Sequence, residues 1–204
     1  MWQRIRFHIH WNTEKEPDWH VDAMLAHRVV GPVLQRERES IALWRFHRRA
    51  GDDAAGHSLS FLIYAPRVLN EALCRSLKAD SLSQDMIRAG VLDKVECEGF
   101  VADKERLVEA TSDPRWSPAL QRAWPHYIMG VSETWLQLID EHTRALAQNT
   151  PPDTVGQTLA LYQSVTKAVT QAWRGEGEHA FLHHLSGLFG YEAVSITERK
   201  LHRF

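Results

Sequence analysis

The chain has 204 residues, 44% of them hydrophobic and 25% charged, enough to bury one large domain or two small lobes sharing a core. Its 24 basic and 26 acidic residues leave a net charge of −2, without the basic excess expected of a nucleic-acid binder. No apolar run reaches the roughly 20 residues that span a bilayer, and the opening residues lack a signal peptide's apolar core and cleavage site. A cytoplasmic location, with no membrane and no nucleic-acid partner, is therefore expected.

Arg4 to Trp11 reads R-I-R-F-H-I-H-W. Ile5, Phe7, Ile9 and Trp11 fall on one side, and Arg4, Arg6, His8 and His10 on the other, which predicts a half-buried strand. Asn12 to Pro17 is a polar turn, after which Asp18 can cap a helix from Trp19 to about Gln35. Its apolar positions Val21, Met24, Leu25, Val29 and Val33 follow helical spacing, and Gly31-Pro32 should kink or shorten it. Ile41 to Arg48 is a second strand. Arg49 to Gly56 is turn chemistry. His57 to Tyr64 is a third strand, with Leu59, Phe61 and Ile63 alternating against Ser58 and Ser60. Pro66 suits the first turn of a helix to about Lys78, and a short helix from Ser83 to Ala89 follows. Val91 to Phe100 is a fourth strand, with Val95 and Cys97 opposed to Lys94, Glu96 and Glu98.

The order β-α-β-β-α-β is the split, ferredoxin-like one, with two helices covering one face of the sheet. After Val101 the spacing turns helical. Val131 to Ala147 is amphipathic, Pro151-Pro152-Asp153 breaks and restarts the chain, and Thr154 to Trp173 is a further helix. Arg174 to Glu178 reads as a turn, with a last helix through Leu188. A strand is conceivable only in the last ten residues. The expectation is an α+β protein: a ferredoxin-like lobe over 1–101 and an all-helical lobe over 102–204, packed as one unit. Two cysteines make no disulfide framework, so Cys74 and Cys97 read as small buried apolar residues.

The basic side of the first strand can hold a carboxylate, a phosphate or an acidic peptide segment; a plain solvated face is the other reading. Two spacings suit a metal, His8-x-His10 on a strand and His179-x-x-x-His183 on a helix. Neither has a third ligand beyond Glu176, and no metal or cofactor is assigned. Phe181, His184, Leu185 and Leu188 share a helix face at about 100° per residue. His184 is therefore expected to face the interior, as a core residue or as an acid/base, with His183 pointing away. Dinucleotide, P-loop, nucleophile-elbow and zinc-protease motifs are missing.

Four segments carry a family likeness. They are the opening W-x-x-I-R-F-H-I-H with V-x-G-P-V-L after it, Trp44 to Phe61, V-S-E-T-W-L-Q-L-I from Val131, and F-L-H-H-L-S-G-L-F-G-Y-E from Phe181. Together they resemble the C-terminal, elimination-type domain of lantibiotic dehydratases and the related thiopeptide-type bacteriocin biosynthesis proteins. The resemblance implies a stand-alone tailoring protein acting on a ribosomally made precursor peptide by elimination or cyclisation, beside a peptide-glutamylating or other modifying protein. A second copy of the chain is also admitted as a partner. On this reading Arg4, Arg6, Arg48 and His57 hold an anionic group, with His8 and His10 beside them. His184 or His183 acts as acid/base, and His57 is grouped with these catalytic positions. Where the family carries H-L-R-L-R, this chain has Ser58 and Ser60 in the alternating places. A non-catalytic peptide-binding subunit and a metal-dependent protein using the His clusters remain as rival readings.

Overall fold

The computed structural model describes residues 1–53, 55–99, 106–146 and 154–189. Strands β1 (Trp2–Ile9), β2 (Leu43–Arg49), β3 (His57–Tyr64) and β4 (Leu92–Gly99) form one sheet in the order β2-β3-β1-β4, every neighbouring pair antiparallel. That is the ferredoxin-like order expected of β-α-β-β-α-β. Period-2 alternation sets the faces: Ile5, Phe7 and Ile9 are at most 3% exposed beneath the helices, while Arg4, Arg6 and His8 point the other way.

The first crossover is one continuous helical run: α1 (Trp19–Met24), a π-helical stretch (Leu25–Val30) and α2 (Gly31–Arg36). Pro32 lacks an N–H, and the widened turn just before it absorbs the lost hydrogen bond, so the run reaches Arg36. Asp18 sits at the N-cap, but its side chain makes no cap hydrogen bond. The second crossover holds α3 (Arg67–Lys78) and α4 (Ser81–Arg88). Helix α4 begins two residues before the expected Ser83 because Asp80 accepts from the Ser83 N–H at 2.9 Å.

The helical half packs against this lobe through a shared core. Helix α5 (Pro118–Leu146) lies along the outer edge of β2. There Ser132 Oγ accepts from the Phe46 N–H at 3.1 Å, covering a backbone donor that an edge strand otherwise exposes. Helix α6 (Val155–Ala172) sets Tyr162, Val165 and Val169 into the same core as Val21, Met24 and Leu25. It opens on a capping box, Thr154 with Gln157.

Two sequence expectations are corrected. The expected turn at Arg174 to Glu178 is a π-helical stretch (Trp173–Gly177) that runs straight into α7 (Glu178–Phe189). Gly177 permits this: a Cβ there would stand 3.1 Å from the Trp173 ring, which packs beside Phe181. Cys74 and Cys97 are not separate apolar fillers but are bonded to each other, tying α3 to edge strand β4. Each lies on the inward face of its own element, which brings their Cα atoms to 6.2 Å. Among the described residues no helix is long and apolar enough to cross a membrane. The last ten residues, and Pro151 to Asp153, lie outside the described residues.

Candidate functional site

Cross-strand register assembles the face of the sheet opposite α1 to α4 row by row. Arg45, Leu62, Arg4 and Glu98 form one row. His47, Ser60, Arg6 and Glu96 form the next, and Arg49, Ser58, His8 and Lys94 the third. Ser58 and Ser60 are each 3% exposed, so they floor a trough whose walls are the long basic side chains of β1 and β2. One end is closed by a 3-10 turn (Val108–Thr111). Trp2 Nε1 donates to Val108 O at 2.9 Å and Arg45 to Thr111 O at 3.3 Å. Trp2, Leu43 and Leu62 pack against Val108 and Ala110 there.

The trough's carboxylates stand on the β4 side. Arg4 and Arg6 both reach Glu98, at 3.1 and 3.0 Å, and His8 meets Glu96 at 3.0 Å. Arg49 pairs with Asp53 in the following loop. Arg45, among the described residues, makes no ion pair, and its Nε and that of Arg6 are buried without a partner. Desolvation first, and then the charge of Arg4, push the Arg45 guanidinium down to about 10. His47 is held below the ordinary imidazole value by lost hydration and then by Arg45, Arg4, Arg49 and Arg6 in turn. The trough is thus a place where positive charge is under-compensated, the condition under which an incoming anion gains most.

The opposite face carries a second polar cluster. His57 and Asp22, both with fully buried side chains, meet at 2.8 Å between Nε2 and Oδ2. Arg48 stands with Nε 3.7 Å from the other Asp22 oxygen and donates to Trp19 O at 3.1 Å. Its guanidinium is sandwiched by the rings of Trp19 and Trp135, at 4.8 and 5.0 Å. Gly56, at φ 54°, supplies the left-handed residue that turns the chain into β3 just before His57. A cleft of about 250 Å³ opens at this end of the sheet, lined by His57, Trp11, Ile9 and Gly56, with His8, His10, Asp53 and Asp93 around it.

The structure therefore divides the residues that sequence reading grouped together. Arg4, Arg6 and His8 share the trough, and His10 sits exposed at the cleft's mouth, 3.0 Å from Asp93. Arg48 and His57 are not with them, since one register step puts them on the helix-covered face. The expectation that His184 faces inward is corrected. His183, His184 and Phe181 are exposed on α7, and Leu188 is 83% exposed, so the apolar stripe of that helix does not pack against the core. His179 and His183 stack at 5.6 Å, but among the described residues no group of three His, Cys, Asp or Glu is placed to hold a metal ion.

Asp22, Arg45, His47 and Arg49 were not singled out from the sequence. The last three were legible: R-F-H-R-R alternates, so Arg45, His47 and Arg49 share the face opposite Phe46 and Arg48. Asp22 carried no local signal, because its partners come from β2 and β3. No protein-family model, curated protein or solved structure matches the chain.

Proposed function

We propose that this chain is a tailoring protein for a ribosomally made peptide and that its serine-floored trough grips an anionic group of that peptide. The observation that supports this is the under-compensated charge: Arg4, Arg6, Arg45 and Arg49 around Ser58 and Ser60, with Arg45 lacking a carboxylate among the described residues. The family resemblance supplies the anion, a glutamate esterified to Ser or Thr. In elimination the Cα–H proton leaves to a base, the Cβ–O bond breaks, and glutamate departs as its carboxylate. A guanidinium holding that carboxylate lowers the cost of charge on the leaving group. The reading places the protein in the cytoplasm, where such peptides are made.

A non-catalytic binding subunit is the second reading. The exposure of His183 and His184 on α7 favours it, since neither stands in a desolvated site where a base would be tuned.

Calorimetric titration with two synthetic peptides of one sequence, with and without an ester-linked glutamate, tests the trough. The glutamylated peptide should bind about ten-fold tighter or more, as a charge-assisted contact allows, and the gap should shrink with salt. Arg45→Gln should abolish most of that difference. Equal binding of the two peptides, or an Arg45→Gln variant that keeps the full difference, would sink the reading. Mass spectrometry of the incubated peptide separates the alternatives: loss of glutamate with a dehydrated residue marks an enzyme, and binding without loss marks the subunit.

A further inference from the structure

We propose that His47 is the catalytic base of the trough, the group that takes the Cα proton of the esterified Ser or Thr while Arg45 holds the ligand's carboxylate. The inference rests on the proposed function and names the one reactive group that reading lacks, since α7 presents no tuned histidine.

His47 stands on β2 between Arg45 and Arg49, and side chains two residues apart on a strand share a face at a spacing of about 7 Å. Register puts it opposite Ser60, with Arg6 on the far side of that serine. The short Ser60 side chain leaves the trough open beside the imidazole. Solvent reaches the His47 ring, and among the described residues the ring makes no hydrogen bond or ion pair. An accessible histidine without partners is ordinarily a solvated one. What sets His47 apart is its company: Arg45 and Arg49 on its own strand, Arg4 and Arg6 on β1. Strand β3 contributes only the neutral Ser58, Ser60 and Leu62 to this face. The β4 carboxylates are already engaged, Glu98 by Arg4 and Arg6, and Glu96 by His8 and Lys94.

Lost hydration and then those four guanidiniums hold the imidazole below its ordinary value of 6.5, so above that pH it is neutral and able to accept a proton. A carboxylate arriving on Arg45 cancels part of the repulsion. The ring thereby becomes a stronger base only once the ligand is seated. A ring nitrogen of His47 then takes the Cα proton, and the C–H electron pair becomes the Cα=Cβ bond. The Cβ–O bond breaks, and its pair leaves on the glutamate carboxylate that Arg45 holds. The imidazolium gives its proton to water. Because Cα lies only two bonds from the departing oxygen, base and guanidinium must stand side by side, as Arg45 and His47 do on one strand face.

Single-turnover incubation of the full chain with the glutamylated peptide, read by mass spectrometry beside calorimetric binding, tests this. His47→Gln should bind the peptide within about three-fold of wild type, as a surface substitution does. Its release of glutamate should fall by about 10²–10⁴-fold. His47→Ala should behave alike and regain turnover in added imidazole, which loss of a structural role does not allow. In the wild type the acid limb of kcat should lie at higher pH than that of kcat/KM, because the bound carboxylate raises the ring's proton affinity. Undiminished turnover by a folded His47→Gln protein would overturn the inference and leave the trough standing. So would a wild type that binds the glutamylated peptide and leaves it intact. Equal binding of glutamylated and unmodified peptides by the wild type would instead overturn the trough, and His47 with it.

Discussion

At Arg45 and His47 positive charge accumulates faster than neighbouring carboxylates neutralise it. Glu98 serves both Arg4 and Arg6, and Glu96 is shared by His8 and Lys94, so neither reaches β2. Arg45 is the largest charge acting on His47, after lost hydration. Removing it must therefore raise the His47 pKa toward the ordinary imidazole value, since a repelling cation disfavours the imidazolium. Proton NMR titration of His47 in Arg45→Gln should show that upward move. A carboxylate bound in the trough should push the same resonance further in the same direction. A downward move would mean that hydration, and not the guanidinium field, governs this face.

The Cys74–Cys97 bond closes a loop with a sequence separation of 23 and pins edge strand β4 to α3. Loop-closure entropy for that length is worth about 3 kcal/mol of unfolded-state restriction. Denaturant unfolding with and without dithiothreitol should differ by roughly that amount, about 3 kcal/mol, with the native spectrum kept. Cytosolic thiols are normally held reduced, so the proposed location predicts that rapid alkylation in freshly lysed cells traps both cysteines as thiols. Sequence spacing could not have paired them, because a helix face and a strand face meet only through the tertiary fold. Much else at this scale was legible. Alternation in Arg4–Trp11 and in His57–Tyr64 placed Ile5, Phe7, Ile9, Leu59, Phe61 and Ile63 in the core, whereas Trp11, expected beside them, lies beyond β1 and is half-buried. What escaped was longer in range: α5 starts at Pro118, ahead of the amphipathic stretch at Val131, where Ser112 donates to Gln121 O at 2.6 Å and Met129 packs with Trp2. Likewise Arg48 and His57 join Arg4 only through the family resemblance, whereas alternation along β2 and β3 puts them on the opposite face of the sheet.

Across the whole molecule, the joint between the sheet lobe and the helical half is partly polar, and that gives stability a pH dependence. His27, on the π-helical stretch after α1, contacts the Tyr162 hydroxyl of α6 through Nδ1 and Asp140 of α5 through Nε2, the latter at 3.2 Å. Burial lowers the His27 pKa below 6.5, outweighing the opposing pull of Asp140. Burial likewise lifts the Tyr162 hydroxyl to about 12, so it stays a neutral partner. His20 and His47 are also depressed, chiefly by desolvation. For each, the unfolded chain takes up its proton at a higher pH than the folded one does. Between the depressed folded value and 6.5 the unfolded state binds more protons, so stability is full above 6.5 and falls as the pH is lowered through that window. Asp113, held at about 2 by Arg115, titrates far below it and cannot produce the same slope. Thermal melting from pH 7.5 to 5.5 should therefore show a falling Tm. His27→Gln keeps an amide that can bond one of the two partners but removes the titration at the joint. Its Tm should start lower at pH 7.5 and fall less steeply, and an unchanged slope would move the pH sensitivity to His20 and His47.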